Sequence, residues 1–443
     1  MKKTIAMLLA AAMILMLFAG CGSSNSTSST QGTTTSVTRT EAGVDAENIY
    51  APYVGTELTF LRHSGYEADW MAQKAAEFYE ISGIKVTIEQ IAYSELKNKM
   101  MLDISSPDGA YDMVATTEYW LSEFSEGNWL ADMNQFINNS ALCDVSFDVE
   151  DIAQSVIDAN TVDGKLLAMP WKFNGQLLAY RSDLIDTPPT TWDEYLALAK
   201  QLTEGNMVGV SLPLSLNSLM DIYLNLLYQA GGSFLSEDNK VCNNLDTPEA
   251  KKALEFLIEL NQYTTSGATN NQWPEASAVF QQGNAAMYPT ITSQLNNLVD
   301  PEKSTVSDCV GYAELPGQVA CLTTWGVGIS SNCKAPEAAW LFIEYMLNPE
   351  NTKELVIGTA GADIPVRSSL LLDEELNTSY ASFKYMNEIV SIPGHTWAYP
   401  KTTCTSAIME ALAVHVQNAL LGSESTDDAL ANAKTDIEKL LNS

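Results

Sequence analysis

Three histidines, seven cysteines and 55 acidic residues are the groups with which this 443-residue chain would ligate a metal, attack a carbonyl or move a proton. His63, His395 and His415 lie too far apart for a His-x-x-x-His zinc pair. No two cysteines form a Cys-x-x-Cys unit, so a zinc or thioredoxin-like motif is not indicated. The chain also lacks a Gly-x-Ser-x-Gly elbow, a Walker loop and a Gly-x-Gly-x-x-Gly turn. A glycosidase needs only two carboxyl groups roughly 5–10 Å apart, but no acidic residue here stands in a recognisable catalytic motif. The notable stretch is Gly164 to Leu184, "GKLLAMPWKFNGQLLAYRSDL". Two apolar runs flank a Pro170-Trp171 step, and the ring is expected at a strand end with no nucleophile beside it. Rings next to hydrogen-bonding groups suit the binding of a polar solute better than its conversion.

The elements that would carry such groups alternate between strand and helix. Glu57–Leu61 reads as a buried strand, and "ADWMAQKAAEFYEIS" puts Met71, Ala75 and Phe78 on one helical face with Gly83 as its stop. "IKVTIEQI" returns as a strand. A second helix carries Leu96, Met100 and Ile104, and Tyr111–Thr116 is a third strand. This β-α-β-α-β order predicts a parallel sheet with ligands at the carboxyl ends of its strands, at Arg62–Glu67 and Thr117–Trp120. Further on, Thr191 and Glu194 form a capping box ahead of Tyr195, Leu198 and Leu202. Pro248 opens a helix with Ala250, Leu254, Leu257 and Ile258 inward, and the last helix aligns Leu430, Ala433, Ile437 and Leu441. The class is α/β.

Composition is globular, with 46% hydrophobic and 9% aromatic residues, and the part after about Tyr50 has the length of two domains. The net charge of −32 argues against nucleic acid and anionic membrane surfaces as partners. The start, "MKKTIAMLLAAAMILMLFAGCGSSN", has the layout of a secretory signal and is short for a spanning helix. Leu17–Cys21 resembles the lipobox of bacterial lipoproteins, with Phe18 where leucine is commonest. That resemblance implies a lipid on Cys21 as the mature N-terminus; loss of Lys2 and Lys3 would take the charge from −32 to −34. The following Ser/Thr/Gly-rich stretch reads as a flexible tether. Export permits disulfides. Cys309, Cys321 and Cys333 are evenly spaced and could face one another, while free thiols, at these and at Cys143, Cys242 and Cys404, are the preferred reading.

Several segments, in order, resemble the extracellular solute-binding proteins of ABC transporters that take up sugars and polyols. They include "YDMVATTEYW", "DGKLLAMPWKFNGQLLAYRSDL", "PPTTWDEYLALAKQLT", "YQAGGSFL", "VFQQGNAAMYP", "TTWGVGISSNCKAPEAAWLFIEYMLNPE" and "GADIPVRSS". The resemblance implies a two-lobed periplasmic-binding-protein-like fold of the maltose-binding type, hinged by crossover strands. It implies a signal at residues 1–20, a lipid-anchored linker at 21–52, one lobe from 53–172 with 326–364, and a second from 173–325 with 365–443. Leu166–Tyr180, Thr323–Ser330 and Ala362–Arg367 would be the crossovers. Relatives often carry Gly-Gly where Thr323-Thr324 stands here.

Such a cleft takes a sugar between flat rings and hydrogen-bonding groups. The candidate contacts are Arg62, His63, Glu118, Trp120, Trp171, Asn174, Asn217, Asp221, Tyr288, Trp325 and Trp397. Each has a blander alternative: Trp120 and Trp397 as core rings, Arg62 as an ion-pair partner, His63 as a loop residue, Asp221 as a solvated helix position. Trp70, Trp129, Trp192 and Trp340 are expected in the core. Arg62 with Arg367 would suit an anionic solute such as a phosphate ester. The expected protein is an extracytoplasmic monomer without catalysis, cofactor or metal, partnered by a carbohydrate or polyol and by ABC permease subunits. It touches the membrane only through its lipid. A secreted glycoside hydrolase and a receptor presenting ligand to a sensor kinase are the alternatives.

Overall fold

The computed structural model describes residues 48–236, 241–242 and 245–442. Residues 1–47, including the signal, Cys21 and most of the expected tether, lie outside the described residues. Fourteen strands occur among the described residues. They are β1 (Glu57–His63), β2 (Lys85–Ile91), β3 (Met113–Thr117), β4 (Thr161–Val162), β5 (Lys165–Leu166), β6 (Met169–Asn174) and β7 (Gln176–Arg181). Then come β8 (Val208–Val210), β9 (Ala285–Ile291), β10 (Val310–Ala313), β11 (Ala320–Cys321), β12 (Thr323–Ile329), β13 (Ile364–Pro365) and β14 (Thr396–Trp397).

The first three strands behave as hydrophobic patterning requires. β1 pairs in parallel with both β2 and β3. The helix between β1 and β2, Tyr66–Ser82, buries Met71, Ala75 and Phe78. It ends at Gly83, whose φ of 68° is a left-handed value that glycine adopts without strain. The next helix, Tyr93–Ile104, buries Leu96, Met100 and Ile104. Each such side chain stabilises the fold by roughly 1.5–3 kcal/mol when fully buried. The capping box at Thr191 and Glu194 is formed. Ile258 is only half-buried, and Ala253 takes the inward position instead. The folded chain also starts a little earlier than position 53, because the Tyr50 ring packs edge-on to Phe78 at 5.5 Å.

Two main sheets result. The six-stranded sheet has the order β13-β6-β12-β3-β1-β2, and the four-stranded sheet the order β10-β7-β9-β8. Two passages connect them, and a third leads from the large sheet to the separate β11-β14 pair. β6 belongs to the large sheet and β7 to the small one, with only Gly175 between. From β10 of the small sheet the chain runs through β11, which pairs with β14, into β12 of the large sheet. From β13, at the large sheet's edge, it returns through helices to β14. This is the two-lobed α/β arrangement with crossover strands. Positions 172/173 and 325/326 fall inside β6 and β12, so both strands extend past them within the large sheet.

Close backbone approach in the second passage occurs at Gly326 rather than at Thr323-Thr324. A Cβ on Gly326 would lie 2.9 Å from that of Ala168. Cys242, Cys309, Cys321, Cys333 and Cys404 are free thiols. Trp340 is fully buried and stacks on Phe136 at 5.8 Å. Trp70 is buried too, whereas Trp129 and Trp192 are half-buried against the core.

Candidate functional site

The carboxyl ends of β1, β2 and β3 meet β6 and β12 around one ring. Trp325, half-exposed on β12, has His63 at 4.6 Å, Trp120 at 5.9 Å, Tyr93 at 6.1 Å and Trp171 at 6.1 Å between ring centroids. A second string of rings continues from it. Tyr119 packs on Trp120 at 5.6 Å and on Tyr399 at 5.7 Å, and Tyr399 on Trp397 at 5.5 Å. The hydroxyls of Tyr93 and Tyr119 lie 3.3 Å apart. His63, Tyr93, Tyr119, Trp325 and Tyr399 all keep part of their surface open to solvent. These separations are those of favourable edge and offset ring contacts.

Trp171 is placed differently from its expected position at a strand end. It sits inside β6, 1% exposed, with its face between Trp325 and the Arg62 guanidinium 5.5 Å away. Its indole N–H has no hydrogen-bond partner. Arg62 is buried and donates to Glu67 Oε2 at 2.7 Å and to the His63 carbonyl at 2.9 Å. Lys172 pairs with the same Glu67 and with Asp363 at 2.6 Å. Although burial pushes the Glu67 carboxyl up, the Lys172 and Arg62 charges hold it well below the usual range. The four groups tie β1, the first helix, β6 and the approach to β13 beneath the rings. Burial, the Arg62 charge and Lys172 together lower His63 to about 4, so its ring is neutral at neutral pH.

Glu118, at the end of β3, is 1% exposed. Its Oε2 accepts from the Thr324 backbone N–H at 2.7 Å, from Thr117 Oγ1 at 2.8 Å and from Thr324 Oγ1 at 3.3 Å, while Oε1 has no partner. Burial pushes the carboxyl up to about 7 against those bonds. Asn160 donates to the same Thr324 hydroxyl at 2.9 Å. Thr324 therefore anchors Glu118 directly before Trp325. On the other side, Asp221 on the helix Leu219–Gln229 accepts from the Tyr399 hydroxyl, and burial pushes it up to about 6.

Of the residues expected from sequence, His63, Trp120, Trp171 and Trp325 come together directly. Arg62 and Glu118 support them from below and beside. Trp397 and Asp221 join through Tyr399. Trp397 is itself buried, stacked on Tyr228 at 5.2 Å and donating to Asn225 Oδ1 at 2.7 Å. Asn174, at the far end of β6, donates to Thr323 at 3.3 Å and accepts from Thr292 at 2.9 Å. Asn217 is exposed in the loop before the helix Leu219–Gln229. Tyr288 is not brought to the group: it is fully buried in β9, donates to the Trp273 carbonyl at 3.0 Å and packs on Phe280. Arg367 is likewise a scaffold residue, donating to the carbonyls of Phe147, Asp148 and Leu347. Arg62 and Arg367 are thus each engaged elsewhere and form no joint anion site.

Sequence reasoning missed Tyr93, Tyr119, Tyr399 and the Lys172–Asp363 pair. Tyr93 could have been found, because it follows the carboxyl end of β2 just as Arg62–Glu67 and Thr117–Trp120 follow β1 and β3.

Comparison with known proteins agrees with this geometry. The sequence profile of the family described as bacterial extracellular solute-binding protein matches residues 64–353. A probable amino-acid ABC transporter periplasmic-binding protein of Sinorhizobium fredii is 24% identical over 77% of this chain and 79% of its own. The erythritol/L-threitol-binding protein of Mycolicibacterium smegmatis is 23% identical over 66% and 67%. Among solved structures, an ABC transporter solute-binding protein of Agrobacterium radiobacter in complex with ribitol superposes with a TM-score of 0.71 at 24% identity, covering 87% of this chain and 99% of that one. With its profile match covering well over half of the sequence, this chain belongs to the bacterial extracellular solute-binding protein family.

Proposed function

We propose that this chain is the extracytoplasmic receptor of an ABC importer and closes its two lobes on a carbohydrate or polyol without converting it. The observation that carries the reading is the half-exposed Trp325, ringed by His63, Tyr93, Trp120 and Trp171 where the strand ends of the large sheet meet a crossover. An aromatic face covers the C–H face of a sugar or the carbon chain of a polyol, and Glu118, Asp221 and the tyrosine hydroxyls take its hydroxyls. A relative named for tetritols supports this solute class, and another named as a probable amino-acid transporter component indicates that solutes differ within the family. One lobe is built on each main sheet, and the divisions expected at 172/173 and 325/326 move to Gly175 and to the passage before β12, so that β6 and β12 stay whole in the large sheet. The ligand contacts are the ring group with Glu118 and Asp221. The test is a thermal-shift screen of sugars and polyols on the purified protein, followed by calorimetry. A ligand at 100 times its dissociation constant adds roughly 2.7 kcal/mol of stability. A complete panel with neither a shift nor a binding isotherm would overturn the reading.

The mature protein is a lipid-anchored monomer on the outer face of the membrane, carried there by the lipobox and the tether. Cys21→Ser is expected to move the protein from the membrane to the soluble fraction. Retention as firm as the parent's would show that Cys21 is not the anchor.

A further inference from the structure

The charges around the ring group are unbalanced in one direction. Two carboxyl groups adjoin it, Glu118 after β3 and Asp221 on the helix Leu219–Gln229, and no Lys or Arg forms an ion pair with either among the described residues. The cations nearby are committed. Arg62 is held by Glu67, and Lys172 by Glu67 and Asp363. Lys401 donates to the backbone carbonyls of Asp158, at 2.6 Å, and Thr161. His63 adds no charge, because its ring is neutral. Glu118 keeps one oxygen without any partner although the residue is fully enclosed. A buried acceptor in that state is costly to leave unpaired and marks a place where a donor arrives from outside the chain.

The rings supply the rest of what a cation needs. Trp325, Tyr93, Trp120 and Tyr119 form a continuous set of faces and edges, and Tyr399 extends it to Asp221. An ammonium group over such faces is attracted by the ring quadrupoles, most strongly where water is excluded. A neutral polyol would use the same rings and hydrogen-bond both carboxyls, but only a cation would hold Glu118 and Asp221 ionised against the burial that raises them. An anionic solute would meet two acids and no free cation. The chain's net charge of −32 acts in the same sense on approach, raising the concentration of cations near the surface.

We infer that the cleft prefers a polyhydroxylated solute that carries an ammonium group, an amino sugar or amino polyol, over its neutral counterpart. This rests on the proposed solute-receptor reading and narrows it. The ammonium sits between Glu118 and Asp221 beside Trp325, and the hydroxyls face the tyrosines and His63.

The experiment compares matched pairs by calorimetry on the intact protein at neutral pH: D-glucitol with 1-amino-1-deoxy-D-glucitol, and D-glucose with D-glucosamine. The amine of at least one pair is expected to bind about tenfold or more tighter, the scale of a desolvated cation–π contact plus a charged hydrogen bond. Raising the salt concentration reduces the amine's advantage and leaves the neutral member unchanged. Glu118→Gln and Asp221→Asn, each near-isosteric, are expected to bring the two members of a pair within about twofold of each other, whatever either variant loses in affinity for both members. The Asn variant guards against a Gln variant that fails to fold. Neutral members binding as tightly as the amines would overturn the inference and leave the receptor reading standing. Amines preferred equally by both variants would overturn the assignment to these carboxyls. Absence of binding by all four probes at millimolar concentration, together with an empty sugar and polyol screen, would overturn both.

Discussion

Trp171→Ala is expected to lower the stability of the unliganded protein by about 3–5 kcal/mol, the range for deleting a fully buried tryptophan. In a folded region of this size that corresponds to a fall in melting temperature of roughly 4–6 °C. The ring is 1% exposed within β6, and removing it opens space between Trp325 and Arg62. Arg62 loses its aromatic face and keeps Glu67. The effect on affinity is indirect, through the seating of Trp325, and smaller than that of removing Trp325 itself. Melting of the apo variant and calorimetry with the best ligand of the screen measure the two effects separately. An unchanged melting temperature with a several-hundred-fold loss of affinity would put the Trp171 face against the solute instead.

Trp171 also shows where sequence reading stops. β1 to β3 and their helices were legible because apolar spacing distinguishes a two-residue from a 3.6-residue period, and Gly83 marks a stop with a physical cause. In β6 and β9 nearly every residue is buried, so alternation assigns no face. Trp171 reads as a cleft ring through the crossover resemblance and Tyr288 as one at a strand end, and both are enclosed. The passages between sheets were recognisable only through resemblance to a family, since neither Gly175 nor the short β11 carries a periodic signal. Partners far apart in the chain were invisible: Lys172 meets Glu67 across 105 positions, and Tyr399 meets Asp221 across 178. Local pattern has no access to such pairs. The positions of His63 and Glu118 were legible because sheets of this class present ligands at their carboxyl ends, and that of Trp325 through the resemblance of Thr323–Ser330 to a crossover.

Trp325→Ala is expected to have the converse profile and the largest effect on binding. The ring is half-exposed and touches four other rings, so it offers a face to the cleft while being held from behind. Loss of such an anchor costs about 2–4 kcal/mol of binding free energy. In affinity that is tens- to several-hundred-fold, at about 1.4 kcal/mol per tenfold. Apo stability falls by less than in Trp171→Ala, because part of the Trp325 surface is already in water and its removal leaves a smaller enclosed void. Trp325→Phe keeps a flat face over the same spot and is expected to recover part of the loss, which a role in strand packing alone would not produce. The Thr324 N–H that holds Glu118 is a backbone group, so it survives both substitutions and leaves the carboxyl in place. Binding lost on Trp325→Ala is therefore lost with the ring rather than with the acid beside it. Calorimetry of the parent and both variants with one ligand decides the matter, and an affinity within twofold of the parent for Trp325→Ala would remove the ring from the site.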